Sequence, residues 1–118
     1  MSYWGVHIGV AGITTALVLF LLAPTLPARR LVIAVSGFWA VIPDFHHVMD
    51  PVPAIQSAWL AILHDSALAN VFWFHRVIDR ADPGDRVVYS MTMWAALLVV
   101  LAATELAIRR QRRVLTQE

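Results

Sequence analysis

The sequence has no cysteine and no lysine among its 118 residues, and charged residues of both signs are scarce. The absence of cysteine excludes disulfide bonds and thiolate-ligated metals. Charged residues make up 14% of the chain, against about 25% in soluble proteins. Hydrophobic residues make up 59%, and the mean hydropathy is +0.67. This composition predicts one helical membrane domain that includes all of residues 1–118.

All nine basic residues are arginine, a usage typical of a GC-rich genome such as an archaeal one. Arg29 and Arg30 follow the first apolar segment, and the sequence RRQRR at 109–113 follows the last. The net charge is only +1, so these clusters indicate membrane topology and predict no nucleic-acid partner. We expect the lipid bilayer to be the partner, with anionic lipid near RRQRR.

The first of three apolar segments, residues 3–22, has no formal charge. It is long enough to cross the hydrocarbon core of about 30 Å as a helix. A cleaved signal peptide fits less well, because no basic residue precedes the segment. Gly5, Gly9 and Gly12 recur at a spacing of three to four residues, which favours close packing against another helix.

The other apolar segments are residues 31–42, which are few for a complete crossing, and residues 87–108, which contain one charge, Glu105. Residues 52–86 are helical in pattern but too polar for the bilayer centre. We expect them to form a long helix, or a broken helical pair, at the interface. The predicted fold is an all-α integral membrane protein with three transmembrane helices plus this interfacial or broken helix. Four transmembrane helices are the alternative.

Arginine placement orients this topology, because cytoplasmic loops carry an excess of basic residues. RRQRR places the C-terminus in the cytoplasm, and Arg29 and Arg30 place the first loop there as well. The N-terminus is therefore expected outside, with the first helix running inward and the second outward. Asp44, at the end of the second segment, is then expected at the outer face.

Four side chains that can bind a metal or carry a proton follow the second apolar segment: Asp44, His46, His47 and Asp50. Asp44 and His47 are three residues apart, a spacing at which two helical side chains can hold one ion. His46 and Asp50 are four residues apart on another face of a regular helix. We assign this second pair a catalytic role, either as a general base or as a support for the ligands.

The predicted topology brings further polar residues into the same outer layer. His7 lies near the outer end of the first helix. His64 and His75 are eleven residues apart, which places them on one face of a single helix. Asp79 lies close to that face but is interpreted as an ion-pair partner of a neighbouring arginine, and His75 as a membrane-interface side chain. Imidazole and carboxylate groups of this kind suit zinc and similar divalent metals.

Three short blocks resemble the membrane-bound metal-dependent hydrolase family of the LexA-binding, inner-membrane type: VHIGVAG at 6–12, VIPDFHH at 41–47 and LHDSAL at 63–68. A more distant similarity is to zinc-dependent phospholipase C. The chain departs from the family pattern, since His46 replaces a second aspartate, Val6 replaces a threonine and Asp65 separates His64 from Ser66. The resemblance implies a divalent metal, zinc by preference, held by four ligands: His7, Asp44, His47 and His64.

Two functions follow from these observations. The first is a membrane-embedded, divalent-metal-dependent hydrolase that acts on a phosphoester or ester, a lipid-linked one included, at the outer interface. The alternative is a non-catalytic membrane subunit or assembly factor, whose His/Asp or metal cluster is structural and whose partners are other membrane proteins. The short chain and the missing carboxylate at His46 favour the alternative. A proton pathway would need such groups at several depths, and Ser66 is too close to His64 for a catalytic triad.

Overall fold

The computed structural model describes residues 4–45, 54–81, 84 and 86–116, with residues 54–57 described by their backbone alone. All regular structure in these ranges is helical, as predicted. The α-helices are α1 (Trp4–Leu22), α2 (Arg29–Ala40), α3 (Ala54–Asp65), α4 (His75–Ala81) and α5 (Val87–Leu115). Two short 3-10 helices, Ile42–Asp44 and Ala67–Val71, follow α2 and α3 respectively.

Two helices, α1 with 19 residues and α5 with 29, are long and apolar enough to cross a membrane. The twelve residues of α2 extend over about 18 Å, which is short of the hydrocarbon thickness of about 30 Å. Large apolar side chains point away from the protein on both long helices, as for Leu22 at 80% exposure and Val99 at 67%. A surface this apolar is more stable against lipid than against water.

Helix α1 packs closely on α5 through its glycines, as the sequence predicted. A Cβ atom at Gly9 would lie 2.5 Å from Cβ of Met93, which is closer than two non-bonded carbon atoms can approach. Gly5 faces Ser90 on α5, and Gly12 faces Leu97. Residue numbers increase together along both helices, so α1 and α5 run parallel.

Helix α2 packs on another side of α1 and runs antiparallel to it. Gly37 on α2 approaches the side chain of Ile8, near the start of α1. Deeper along α1, the hydroxyl oxygens of Thr15 and Ser36 are 2.6 Å apart and form an interhelical hydrogen bond. Small residues and hydroxyl pairs of this kind are what holds helices together in a membrane.

The polar region forms a broken helical pair, α3 and α4, neither long enough to cross a bilayer. The hydroxyl of Ser66 accepts a hydrogen bond from the Leu68 amide, which begins a 3-10 helix instead of continuing α3. Trp73 and Phe74 then have left-handed backbones with φ of 54° and 58°. The prediction that His64 and His75 share one face of a single helix is therefore wrong, because the chain reverses between them.

Candidate metal centre

Five ionisable side chains from separate parts of the chain meet at one end of the helical bundle. His7 belongs to the first turn of α1, Asp44 to the 3-10 helix after α2, and His64 to the last turn of α3. His75 begins α4, and Asp79 lies one turn later. His7 and His75 have no exposed surface, and Asp44 is 5% exposed. The cluster is thus a buried polar site in a largely apolar protein.

Each of the two carboxylates faces all three imidazoles. Oδ1 of Asp44 is 3.1 Å from Nε2 of His75 and 3.5 Å from Nε2 of His64, and its Oδ2 is 3.9 Å from Nε2 of His7. Oδ1 of Asp79 is 3.2 Å from Nε2 of His7, and its Oδ2 is 3.1 Å from Nε2 of His64 and 3.6 Å from Nε2 of His75. All three histidines therefore present the same ring nitrogen to the two carboxylates.

The opposite ring nitrogens of two of these histidines are held by the surrounding structure. Nδ1 of His75 is 3.1 Å from the carbonyl oxygen of Ala40. A carbonyl only accepts, so Nδ1 of His75 carries the hydrogen. Nδ1 of His64 lies 3.2 Å from the carboxylate of Asp65. Metal-binding histidines are oriented in this way, by a carbonyl or carboxylate on the far side of the ring.

Ring stacking fixes the relative positions of the imidazoles. The rings of His7 and His75 are stacked, with centroids 4.0 Å apart and planes 15° apart. The ring of His64 meets that of His75 edge-on, at a centroid distance of 5.1 Å. Arg76 adds a further restraint, since it donates a hydrogen bond to the backbone carbonyl of Asp65 and so ties α4 to the end of α3.

The pairing of His75 with Asp44 leaves two acceptors in contact unless a cation lies between them. With its hydrogen on Nδ1, a neutral His75 directs the Nε2 lone pair at Oδ1 of Asp44. Within the described part of the chain, Nε2 of His75 and both carboxylate oxygens of Asp44 are buried without a well-directed hydrogen bond. Either a proton on Nε2 or a metal ion removes this repulsion.

The pKa of His75 favours a proton on this imidazole. Burial lowers the pKa of this imidazole, but the nearby carboxylates of Asp44 and Asp79 and the Ala40 carbonyl raise it further in the opposite direction. The pKa therefore lies above its ordinary value of 6.5. The site stabilises positive charge at this nitrogen.

The cluster also has the dimensions and charge of a divalent-metal site. One ligand atom each from His7, Asp44, His75 and Asp79 lie within 4.8 Å of one another. Ligand atoms about 2.1 Å from zinc in a tetrahedron are about 3.4 Å apart, and the nitrogen–oxygen separations here range from 3.1 to 3.9 Å. Asp44 is buried and Asp79 is partly buried, and one divalent cation would balance the charge of two carboxylates. These four residues could hold a metal ion.

The structure brings together three of the four ligands predicted from the sequence, namely His7, Asp44 and His64. The fourth, His47, lies outside the described residues, as do the predicted catalytic residues His46 and Asp50. Their roles stay predictions.

Two members of the cluster were not recognised as ligands from the sequence. Asp79 was assigned to an arginine, but its carboxylate faces three histidines. His75 was assigned to the membrane interface, but it is completely buried. The spacing of the two, one helical turn apart, was the available signal, since it is the i, i+4 relation of many metal-binding pairs.

Comparison with protein-family models, with curated proteins and with solved structures finds no match for this chain.

Proposed function

We propose that this chain is a membrane-embedded, divalent-metal-dependent hydrolase acting on a phosphoester or ester, a lipid-linked one included, at the outer membrane interface. The observation that carries the proposal is the convergence of three Nε2 atoms and two carboxylates on one buried point. Zinc is the preferred metal, because mixed imidazole and carboxylate ligands at these separations suit it. The resemblance of the VHIGVAG, VIPDFHH and LHDSAL blocks to membrane-bound metal-dependent hydrolases points to the same reaction class.

The arrangement of the helices supports a protein that crosses the membrane three times. If α1 and α5 both cross the membrane in parallel, the chain crosses an odd number of times between them. Helix α2 is too short to cross by itself, so the return crossing would consist of α2 together with the 3-10 helix Ile42–Asp44 that follows it. Four crossings in sequence would make α1 and α5 antiparallel. A chain with RRQRR on the cytoplasmic side would then have its N-terminus, and the His/Asp cluster, at the outer face.

A bound divalent ion would supply a Lewis acid and a water molecule of lowered pKa. The chain's own residues would hold and orient the reacting groups. His75 is fixed by Ala40 and His64 by Asp65, so neither imidazole can rotate away. Among the described members of the cluster, the side chains of His64 and Asp79 are the least buried, at 9% and 12% exposure. We infer that substrate approaches from their side.

A non-catalytic membrane subunit or assembly factor with a structural His/Asp or metal cluster is the second candidate. It is favoured by the complete burial of His7 and His75 and by the presence of five donor groups, enough to fill the coordination sphere of zinc without water. The hydrolase requires a metal with one open coordination position, whereas the structural cluster would have closed coordination or no metal.

The first test is elemental analysis of the detergent-purified protein and its Asp44→Ala, His64→Ala and Asp79→Asn variants. We expect about one zinc per chain in the wild type and a loss in the variants. Glu105→Gln is the matched control, since Glu105 contacts arginines at the other end of the helices. Wild-type protein without metal, even after incubation with zinc or manganese, would contradict the hydrolase and favour a structural cluster held by hydrogen bonds.

Cobalt substitution then separates the two candidates. If a coordination position is open, adding azide to the cobalt-loaded protein will change its visible absorption, and metal-dependent hydrolysis of phosphoester or lipid substrates should be detectable. An absorption spectrum that azide leaves unchanged, together with no hydrolysis, would support the structural cluster and contradict the hydrolase.

A further inference from the structure

A second cavity, lined by arginines, lies at the opposite end of α1 from the His/Asp cluster. It has a volume of about 320 Å³, equivalent to about ten water molecules. Its charged lining residues are Arg29, Arg30, Glu105, Arg109 and Arg112. Since His7 and Leu22 are separated by four turns of α1, the two sites are more than about 20 Å apart along the helix.

The geometry points to this cavity as a binding site for the phosphate of an anionic phospholipid, whose acyl chain lies in the neighbouring groove between α2 and α5. The inference needs the protein to be in a membrane, but it is independent of the metal and of hydrolysis.

The positive charge around the cavity exceeds what the protein neutralises. Glu105 is the one acidic residue in the lining, and it already contacts three arginines. Its carboxylate is 3.5 Å from Nη2 of Arg29, 3.3 Å from Nη2 of Arg30 and 3.0 Å from Nε of Arg109. Four arginines against one glutamate leave three positive charges for an external anion.

The buried side chain of Arg29 distinguishes this cavity from a charged patch on the protein surface. Its side chain is 7% exposed, and its Nη2 is 3.4 Å from the hydroxyl of Thr104. Within the described residues, its Nη1 is buried and has no hydrogen-bond partner. A buried guanidinium hydrogen without an acceptor is costly, and a phosphate oxygen in the adjoining cavity would supply the acceptor. Arginine is suited to this contact because its planar fork matches phosphate geometry.

The adjoining groove identifies the anion as part of a lipid. This groove has a volume of about 440 Å³ and is lined almost entirely by apolar side chains, with Arg30 at its edge as the exception. Arg30 lines the cavity as well, so the cavity and the groove adjoin at this residue. The apolar lining includes the buried Ile33 and Leu97 and the exposed Phe38 and Trp94. A free phosphate ion makes no favourable contact with an apolar groove, whereas an acyl chain can fill it.

Native mass spectrometry of the full chain in detergent, titrated with phosphatidylglycerol or phosphatidylcholine, tests the inference. We expect phosphatidylglycerol to bind more tightly than phosphatidylcholine. Arg29→Gln and Arg112→Gln should each weaken phosphatidylglycerol binding by about fivefold, as expected for one basic side chain near an anionic headgroup. Arg113→Gln removes the same charge from the same helix outside the cavity lining and should leave binding unchanged.

A second pair of variants tests the groove without altering charge or the buried arginine. Ala34 is exposed and lines the groove, so Ala34→Trp should fill it and weaken lipid binding. Val35 is also exposed but lies outside the groove lining, so Val35→Trp should have no effect. Asp79→Asn should also bind lipid normally, which separates this inference from the metal proposal.

Three results would overturn the inference. Equal weakening by Arg112→Gln and Arg113→Gln would show that diffuse surface charge attracts the lipid. Displacement of phosphatidylglycerol by excess inorganic phosphate, with Ala34→Trp binding normally, would identify a free-anion site instead. Equal binding of phosphatidylglycerol and phosphatidylcholine would exclude recognition of the anionic headgroup.

Discussion

Nε2 of His75 lies 3.1 Å from Oδ1 of Asp44, while Nδ1 of the same ring lies 3.1 Å from the carbonyl oxygen of Ala40. The carbonyl determines which nitrogen carries the hydrogen, so the other nitrogen is left as a metal ligand or as the site of an added proton. Ala40 ends α2 and Asp44 follows four residues later. This one imidazole therefore joins α4 to both the end of α2 and the cluster.

Removing a ligand and removing its support should have different effects on metal affinity. Asp79→Asn keeps the shape of the side chain but removes the negative charge that faces His7, His64 and His75. Asp65→Asn alters only the group behind His64, and loss of such a supporting group weakens metal binding by about 10- to 100-fold. We expect a larger loss for Asp79→Asn. Competition with a fluorescent zinc chelator measures both affinities.

Equal affinities for the wild type and Asp79→Asn would show that Asp79 is not a ligand. An Asp65→Asn variant as weak as Asp79→Asn would mean that Asp65 itself reaches the metal.

The stability of the metal-free protein should depend on pH through His75. Because the folded-state pKa of His75 is raised above 6.5, its stabilising contribution is complete below that value and is lost as pH rises through the folded-state pKa. Metal binding requires neutral histidines, so affinity for zinc should change in the opposite direction and increase with pH. Thermal unfolding in detergent, with a chelator or with zinc, measures both trends.

The His75→Gln variant provides the control for this pH dependence, since it removes the titrating group. If the metal-free wild type and His75→Gln lose stability in parallel as the pH rises above 6.5, another group is responsible.

The close approach of α1 and α5 should make Gly9 less tolerant of a side chain than Gly12. A Cβ at Gly9 meets Cβ and backbone atoms of Met93, which cannot move without displacing α5. A Cβ at Gly12 meets the methyl groups of Leu97, at 2.9 and 3.1 Å, and this side chain can rotate. Overpacking of this kind costs about 1–3 kcal/mol, so Gly9→Ala should lower the unfolding temperature clearly and Gly12→Ala less. Equal effects would mean that α1 and α5 are not in close contact at Gly9.

The left-handed backbone before His75 should be relieved by glycine. A residue with a side chain costs roughly 1–2 kcal/mol in this conformation, and the side chain of Phe74 is 62% exposed, so Phe74→Gly loses little packing. We expect its unfolding temperature to stay the same or increase. Val77 is similarly exposed, at 53%, but lies within α4, where glycine costs about 1 kcal/mol. Val77→Gly should therefore be the less stable variant, and the reverse order would show that the Phe74 backbone is not strained.

The helices and their packing faces were largely predictable from the sequence. Long apolar segments with at most one charge predict helices that can cross a bilayer, and these correspond to α1 and α5. The glycine spacing predicted the contact face of α1, because a helix face without side chains allows close approach of whichever helix packs there. The resemblance of three short blocks to a hydrolase family singled out His7, Asp44 and His64 among the polar residues beside the apolar segments.

The identity of the remaining cluster members was decided by the tertiary structure. The sequence left a long helix or a broken helical pair open, and the shared face of His64 and His75 required the helix to be unbroken. The turn at Ser66 and the left-handed residues Trp73 and Phe74 reverse the chain instead. This reversal buries His75 and directs Asp79 toward His7, 72 positions away. Local spacing determines which side chains share a face of one helix. Which carboxylate meets which imidazole depends on how separate helices pack, because only that packing brings distant charges together and excludes water from between them.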